Sequence, residues 1–419
     1  MRQDETAHFT DCDRARVICG ALGAVLLCNV LISFYIWGMN HADTPDMPEN
    51  ATENAAVDAP KVALGLRTPG RAALSNETGR FEPSTSEPVF DGWDIPYEDR
   101  ALRTTTRIEI PRSIISRNSS PDLPFDRSIN PYRGCEHGCI YCYARPTHAF
   151  LGLSPGLDFE TQLIARPGAA AQLERELSAG KYSATPIKPI AIGTNTDPYQ
   201  PIEAEHEVMR DCLKVLAAFN HPLMITTKGT LIERDIDILG AMAAKGLVGV
   251  GISMTTLSSQ LSRQMEPRAP APARRLKMIA RLSEAGIPTR VMLAPVIPAL
   301  TDHEIEAILK AGALAGARSA EMIMLRLPRE VAPLFIEWLE RVMPDRAARI
   351  MGRVRELHGG RDYDPEFGKR MRGEGAFAEL AAQRFDLACR KLRLTRDIRA
   401  LRCDLFAVPP RAGDQLSLF

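Results

Sequence analysis

Three closely spaced cysteines are the residues of this chain best suited to carry out chemistry. Cys135, Cys139 and Cys142 have the spacing C-x3-C-x2-C. Cysteine thiolates are the usual protein ligands of iron–sulfur clusters, and three of them on one loop can face a single cluster. A 4Fe-4S cluster held by three cysteines keeps one iron without a protein ligand, and an open metal position is typical of catalytic sites. The spacing therefore predicts a cluster at which a small molecule is bound and reduced.

The same thiols are also compatible with other roles. A structural zinc ion takes four ligands, and a histidine can complete a set of three cysteines. His137 lies within the cysteine loop and His148 follows it. A structural zinc site, or a loop of unreactive thiols, is therefore the alternative to the cluster.

The block from Asn130 to Arg145, NPYRGCEHGCIYCYAR, resembles the signature of the radical S-adenosylmethionine (SAM) superfamily. Within that superfamily it is similar to the branch related to spore photoproduct lyase, also described as DNA repair photolyase-like. The resemblance implies that SAM binds the open iron and is cleaved by one electron to methionine and a 5′-deoxyadenosyl radical. It also implies an electron donor of the flavodoxin or ferredoxin type, and contact between Tyr141 and the adenine of SAM.

Polar residues that follow the second and third predicted strands are further candidates for the site. Gly193, Thr194 and Asn195 stand where the superfamily has a GGE motif that contacts the amino group of SAM, although the residues differ here. Asp197 follows in an Asp-Pro turn, a setting that fixes a carboxylate. We predict catalytic roles for Asp197 and for Lys228. Each could instead only end its strand or lie in solvent.

Two more residues are assigned to the cofactor by the resemblance. Ser253 ends the fourth strand, where superfamily members often bind ribose hydroxyls, although a polar side chain can also cap a turn there. Arg275 is favoured over Arg274 as the arginine that holds the cofactor carboxylate. The apolar run at 291–298 is suited to pack against adenine and is also typical of a core strand.

One expected cysteine has no counterpart. Spore photoproduct lyase uses an additional cysteine as hydrogen donor some tens of residues after its cluster loop. The next cysteine here is Cys212, within a predicted helix. Together with Cys389 and Cys403 it is more typical of a buried apolar side chain. At this point the sequence departs from the family pattern.

Strands and helices alternate after the cysteine loop. With the strand before Cys135, six apolar strands are present, which predicts a parallel sheet with helices outside it. A partial (β/α)6 barrel of TIM type fits this count and the resemblance, with the active site at the carboxyl ends of the strands. The other strands are predicted at 189–194, 223–227, 248–254, 289–297 and 321–325, and the helices at 170–179, 207–219, 233–245, 273–285 and 303–315.

The barrel domain is predicted over 101–327, with an edge strand at 103–111 near its start. Residues 328–408 predict a helical extension. This extension has an irregular charged interruption, an amphipathic helix at 376–392 and a last strand at 401–408.

The amino-terminal part has a strong hydropathy signal. After a tail of residues 1–16, residues 17–39 carry no charged side chain. At ~1.5 Å per residue a helix of this length crosses the ~30 Å hydrocarbon core, so it predicts a transmembrane or signal-anchor segment. Residues 40–100 are irregular and predict a linker and a strap over the later fold.

The orientation of that segment conflicts with the cluster. Arg14 and Arg16 precede it, so the positive-inside rule places the catalytic part outside the cell. A low-potential cluster needs a reducing compartment, and we expect the catalytic part in the cytoplasm. The alternatives are inverted insertion, a charge bias too weak to set the orientation, or translation that begins later, for instance at Met39 or Met47.

The flexible tail, 409–419, ends in QLSLF. This ending resembles the pentapeptide by which bacterial replication and repair proteins bind the sliding clamp. Gln415 would be its anchor, and Leu416, Leu418 and Phe419 its apolar contacts, in a preformed pocket. A chance apolar tail is the alternative.

Composition limits the functions that remain. Lys+Arg and Asp+Glu both total 52, which argues against a protein that coats nucleic acid non-specifically and permits a local basic groove. The nine cysteines are not arranged as a small secreted disulfide scaffold. The family resemblance and the clamp-like tail together predict a radical SAM enzyme that acts on nucleic acid, similar to the DNA repair photolyase-like branch and brought to DNA through the clamp. The alternatives are the same chemistry on RNA, protein or a small molecule, and a non-catalytic iron–sulfur scaffold or redox sensor.

Overall fold

A computed structural model of the chain describes residues 70–82, 102–396 and 400–410. The predicted membrane segment at 17–39, the tail at 1–16 and the clamp-like motif lie outside these ranges, as does most of the linker. Among the helices of the described ranges, none combines the length and apolar character of a membrane span.

Ten strands in the described ranges form two sheets. The larger sheet has the order β10-β9-β8-β7-β6-β3-β2, and the smaller has the order β1-β5-β4. The strands are β1 (Thr105–Ile108), β2 (Ile115–Arg117), β3 (Arg127–Ile129), β4 (Tyr132–Arg133), β5 (Gln162–Ala165), β6 (Ile190–Ile192), β7 (Leu223–Thr227), β8 (Val248–Ser253), β9 (Thr289–Val296) and β10 (Ser319–Met324).

The larger sheet confirms the predicted architecture. Its neighbours from β3 through β6, β7, β8 and β9 to β10 are all parallel, which gives the six strands of a partial barrel. An additional strand, β2, pairs antiparallel with β3. The strand expected before the cysteine loop is divided into β3 and β4 by Pro131, because proline has no amide hydrogen for a ladder bond.

Helices alternate with these strands and share one apolar core with them. The helix predicted at 233–245 begins as a 3-10 turn, Thr230–Asp235, and continues as α6. The helices are α1 (Leu157–Thr161), α2 (Ala169–Ser178), α3 (Gly180–Ser183), α4 (Glu203–His206), α5 (Val208–Ala218), α6 (Ile236–Ala244), α7 (Ser259–Met265), α8 (Pro272–Glu284), α9 (Ile305–Leu314), α10 (Val331–Val342), α11 (Pro344–Leu357) and α12 (Gly375–Leu392).

The strand predicted at 401–408 is wrong. The backbone amides of Arg402 and Ala407 donate to the carbonyls of Gly246 and Phe219, which lie in turns after α6 and α5. Turns offer single acceptors and no strand edge, so no ladder forms. The apolar residues that suggested a strand serve in packing instead, since the ring of Phe406 lies 6.1 Å from that of Phe219.

The two edges of the open sheet are joined by an ion pair. Asp122 follows edge strand β2, and Arg370 lies in the irregular segment between α11 and α12. Arg370 donates to both carboxylate oxygens of Asp122, at 2.8 and 2.6 Å. The carbonyl of Met371 accepts from the amide of Met324, the last residue of edge strand β10. This segment therefore covers the gap between β10 and β2.

Candidate active site

The cysteine loop connects β4 to the 3-10 turn Arg145–Leu151 and depends on two glycines. Gly134 and Gly138 have positive φ angles of 72° and 64°, which favour glycine over residues with a side chain. A Cβ atom on Gly138 would lie 2.6 Å from a carboxylate oxygen of Glu160. The amides of Cys135 and Ile140 donate to backbone carbonyls at 2.9 and 3.0 Å, so both halves of the loop are fixed.

A buried ion pair stabilises the cysteine loop. Arg145 and Glu160 are both fully buried and 2.5 Å apart. The Arg145 guanidinium also donates to the carbonyls of Cys139 and Gly138 inside the loop. Glu160 accepts from the amides of Ala72 and Ala73, which ties the strap segment 70–82 to the loop. Sequence reasoning did not identify this pair, because nothing near Arg145 indicates its partner.

One cavity of about 510 Å³ brings the predicted cofactor residues together. The three cysteines line it, and so do side chains at the carboxyl ends of β6, β7 and β8. Of the predicted residues, it is lined by Cys135, Cys139, Cys142, Tyr141, Gly193, Thr194, Asn195, Asp197, Lys228 and Ser253, and also by His137.

The thiols fit a cluster better than a single metal ion. Burial and neighbouring negative charges raise the pKa of Cys135, and burial raises the pKa of Cys139 to about 12. Bound cationic iron would stabilise these thiols as thiolates. In the part of the chain that the structure describes, no three His, Cys, Asp or Glu side chains group as ligands of one ion. A cluster does not require such convergence, because each thiolate binds its own iron.

Neither histidine completes a zinc site here. His137 Nδ1 lies 3.3 Å from Asp197 Oδ2. His148 is fully buried against the ring of Phe159 and does not line the cavity. Burial lowers the pKa of His148 to about 4, so this imidazole is neutral at physiological pH.

Asp197 links the cysteine loop to two strand ends. It accepts hydrogen bonds from the Thr227 hydroxyl at 2.6 Å and from the amides of Lys228 and Tyr199 at 2.7 and 2.9 Å. Burial favours a higher pKa, but the contact with His137 and the hydrogen bonds from Thr227 and Lys228 lower the pKa of Asp197 well below its usual range. Both carboxylate oxygens have donors within the protein. The arrangement fits a positioning residue better than the predicted catalytic one.

Lys228 is a cation that can bind an anionic ligand in the cavity. Its Nζ lies 5.8 Å from the centre of the Tyr141 ring. Burial acts to lower its pKa, but the charges of Cys139 and Glu266 outweigh this and raise the pKa of Lys228. It forms no ion pair with a carboxylate of the described residues, so its charge is available to an anionic group in the cavity.

Tyr141 is held by a buried network. Its hydroxyl donates to Glu266 and lies 3.0 Å from the Thr255 hydroxyl. Glu266 forms an ion pair with Arg275. Burial opposes ionisation of Glu266, but the Arg275 and Lys228 charges lower the pKa of this carboxyl to about 2. The network fixes the aromatic ring beside the third cysteine.

Arg275 does not reach the cavity. It is 1% exposed and donates to the carbonyls of Pro270 and Ser253 in addition to its ion pair with Glu266. Its guanidinium is thus used inside the protein, and Arg275 is not among the residues that line the cavity. Its contact with the cofactor carboxylate stays a prediction. The sequence carries no signal for Glu266 as its partner. Arg274 pairs with Glu233, away from the cavity.

Two further predicted residues, Thr194 and Ser253, lie at the carboxyl ends of β6 and β8. The Ser253 hydroxyl donates to the carbonyl of Ala294 at 3.0 Å. The Thr194 carbonyl accepts from the hydroxyl of Tyr143. Tyr143 lines the cavity with Arg326, whose guanidinium lies 4.0 Å from its ring centre, and sequence reasoning identified neither. The predicted apolar wall contributes Met292, Ala294 and Pro295.

No cysteine of the described residues other than the three in the loop lines the cavity. Cys212 and Cys389 are buried in α5 and α12, and Cys403 lies in the carboxyl-terminal segment. The structure therefore provides no nearby thiol in the role of a hydrogen donor within the described ranges.

Gly193 is expected to be intolerant of a side chain. Its φ angle is +86°, and a Cβ atom would lie 2.0 Å from the carbonyl oxygen of Thr226. We expect Gly193→Ala to cost on the order of 1–3 kcal/mol of unfolding free energy and to weaken SAM binding, because the end of β6 must move. Denaturant unfolding and calorimetric titration with SAM measure both effects. Gly180→Ala, where a Cβ meets nothing within 4 Å, is the control and should change stability little.

The chain is similar to several known proteins. Residues 129–311 match the family model described as Radical SAM superfamily. The chain is 34% identical over 326 residues to an uncharacterized protein of Mycobacterium tuberculosis, covering 73% of this chain and 91% of that protein. It is 27% identical over 176 residues to an uncharacterized protein of Methanocaldococcus jannaschii, covering 42% of this chain and 62% of that protein.

A solved structure shares the fold. A cysteine-to-serine mutant of spore photoproduct lyase superposes with a TM-score of 0.51 at 16% sequence identity. The match covers 70% of this chain and 81% of that chain. The fold thus has a counterpart of known structure.

Proposed function

Because the chain belongs to the radical SAM superfamily, we propose that it is an enzyme that binds a 4Fe-4S cluster, cleaves SAM reductively and acts on nucleic acid. The observation that carries the proposal is the cavity in which three thiols face the polar ends of β6, β7 and β8. A cofactor bound there would meet thiolates, a lysine and backbone carbonyls within one cavity.

Different residues of the cavity would bind the cluster and the separate parts of SAM. Cys135, Cys139 and Cys142 would hold the cluster, which when bound supplies the electron that cleaves SAM to methionine and a 5′-deoxyadenosyl radical. Lys228 would attract the carboxylate of SAM, and the carbonyls of the Gly193–Asn195 turn would accept from its ammonium. Tyr141, fixed by Glu266, would pack against adenine.

The nucleic-acid target is supported by a structural relative. Spore photoproduct lyase, in a cysteine-to-alanine mutant of the same fold, has been solved with a dinucleoside spore photoproduct. The present cavity is lined by the thiols and also by Arg290 and Glu321, near the amino ends of β9 and β10, and we place a second molecule there beside SAM. Among the described residues no cysteine outside the loop lines the cavity, and we do not extend the proposal to repair of the spore type.

Anaerobic reconstitution tests the proposal. The protein loaded with iron and sulfide and reduced by dithionite, or by a flavodoxin or ferredoxin, should form 5′-deoxyadenosine from SAM. Addition of damaged or modified oligonucleotides, followed by mass spectrometry, should reveal a changed nucleotide. Zinc as the only bound metal would contradict the cluster. A cluster that gives no 5′-deoxyadenosine would favour a scaffold or redox sensor.

The clamp-like tail gives a separate prediction. We propose that Gln415, Leu416, Leu418 and Phe419 bind a bacterial sliding clamp and bring the enzyme to DNA. Deleting residues 415–419 should abolish recovery of the full chain by immobilised clamp, because the motif supplies the whole contact. 5′-Deoxyadenosine formation, measured in parallel, should be unchanged. Equal recovery of both chains would remove the clamp from the proposal.

A further inference from the structure

The end of the cavity away from the cysteine loop contains a buried arginine whose hydrogen-bonding capacity is only partly used. Arg290 on β9 is 9% exposed and lines the cavity. One of its terminal nitrogens lies 2.6 Å from Glu321 on β10, and the other donates to the carbonyl of Arg396. The third nitrogen, Nε, is buried and has no hydrogen-bond partner in the described structure. A buried donor of this kind normally has a partner.

Glu321 offers the complementary acceptor. Its carboxylate also lines the cavity and uses one oxygen, Oε2, in the pair with Arg290. Within the described ranges its other oxygen has no hydrogen-bond donor. Arg290 and Glu321, on neighbouring strands, therefore leave one buried donor and one acceptor without a hydrogen-bond partner within the described ranges.

This pair is well separated from the thiols. Arg290 precedes Ala294 by four residues on β9, a distance of about 13 Å along a strand. Ala294 lies at the cysteine end, where its carbonyl accepts from Ser253. A molecule held by Arg290 and Glu321 can thus occupy the cavity together with a cofactor at the thiols.

The two ends of the cavity differ in charge. The far end contains two ion pairs, Arg290 with Glu321 and Arg370 with Asp122, and each pair is internally neutral. Neither Lys228 nor Arg326 at the cysteine end has an ion-pair partner among the described carboxylates. An anionic group is therefore favoured at the cysteine end, and an uncharged hydrogen-bonding group at the far end.

The surrounding side chains suit a flat ring. Met224, Met292 and Met371 line the cavity with Arg290 and Glu321, and methionine sulfur makes favourable contacts with aromatic rings. A donor and an acceptor side by side match the edge of a nucleobase, which carries both. A phosphate, which has only acceptors, would leave Glu321 facing a like charge.

We infer that Arg290 and Glu321 recognise one unpaired nucleobase in the barrel. This inference rests on the proposed action on nucleic acid, and it specifies the part of the substrate that the cavity recognises. The base must leave its stack to enter, as it does in enzymes that carry out chemistry on bases. Arg290 and Glu321 would act as specificity residues at a distance from the cluster.

Fluorescence anisotropy with single-stranded oligonucleotides tests the inference on the reconstituted full chain. The probes carry each of the four bases, or an abasic site, at one central position, so that all share the same phosphate backbone. We expect the wild-type chain to bind its preferred base about tenfold tighter than the abasic probe. In Glu321→Gln this ratio should fall to about two or less, because one of the two acceptor oxygens becomes an NH2 donor and Arg290 is left without its counter-charge.

A matched variant separates this effect from a general loss of an ion pair. Glu306 pairs with Arg384 outside the cavity, and Glu306→Gln should keep the wild-type ratio. A wild-type ratio near one would overturn the inference, even if Glu321→Gln does not fold. A wild-type ratio retained in Glu321→Gln would also overturn it.

The same measurements distinguish failure of the proposed function. Formation of 5′-deoxyadenosine together with equal binding of all probes would contradict only the base site. No binding of any probe would contradict both the nucleic-acid target and the base site.

Discussion

Replacement of Cys139 by alanine is expected to lower 5′-deoxyadenosine formation by at least about a thousandfold, which corresponds to about 4 kcal/mol of activation free energy. Cys139 lies in the middle of the loop and is 7% exposed in the wall of the cavity. With two thiolates left, a cluster would have two irons without protein ligands and would be lost or displaced. The measurements are iron and sulfide content, the absorption of the cluster and the yield of 5′-deoxyadenosine under dithionite.

Cys212→Ala is the matched control for this prediction. Cys212 is also buried, but it lies in α5 and belongs to the apolar core. The folded fraction of this variant should bind iron and cleave SAM as the unmodified chain does. Substitutions of Cys135 and Cys142 should behave as that of Cys139 does. Undiminished activity in any of the three would exclude a cluster held by this loop.

The partial barrel could be predicted because its signals are local. The strand at 223–227 coincides with β7, and the alternation of apolar strands with helices gives the six parallel strands directly. The cysteine spacing is local as well, and it lies in a single loop. The prediction of a strand at 401–408 is wrong because an extended apolar segment becomes a strand only beside a free strand edge. The turns at Phe219 and Gly246 offer no such edge.

The contacts that shape the site could not be predicted, because they join residues far apart in the chain. Tyr141 and Glu266 are 125 residues apart in sequence, and neither has a neighbour that indicates the other. The family resemblance assigns Arg275 to the cofactor carboxylate. Only the fold reveals that Glu266 already neutralises it and that Lys228, without such a partner, faces the cavity.

Replacement of Glu266 by glutamine is expected to destabilise the protein by about 3–5 kcal/mol. Arg275 is 1% exposed, and without the carboxylate its charge would be buried and uncompensated. A glutamine has one acceptor oxygen in place of two, so the Tyr141 hydroxyl and Arg275 would compete for it. Denaturant unfolding at neutral pH measures the loss. SAM binding by the folded fraction should weaken as well, because the Tyr141 ring is no longer fixed.

Glu233→Gln is the control for burial. Glu233 pairs with Arg274 and Arg281, whose side chains are 40% and 58% exposed, and pairs of this kind contribute at most about 1 kcal/mol. If the free energy of unfolding falls equally in both variants, burial of the Glu266–Arg275 pair does not increase its contribution to stability. A loss several times larger in Glu266→Gln is the expected result.

The pH dependence of unfolding gives an independent test of the same pair. The pKa of Glu266 is lowered to about 2 in the folded protein, whereas an unfolded glutamate has a pKa of about 4.3. Between these values the unfolded chain binds more protons, so acidification favours unfolding. The contribution of Glu266 is thus fully present above about pH 4.3 and is lost as the pH falls toward 2. Glu266→Gln cannot bind this proton, so its free energy of unfolding should decline less steeply than that of the unmodified chain over this interval. Parallel curves for the two chains would show that Glu266 is not held ionised by Arg275.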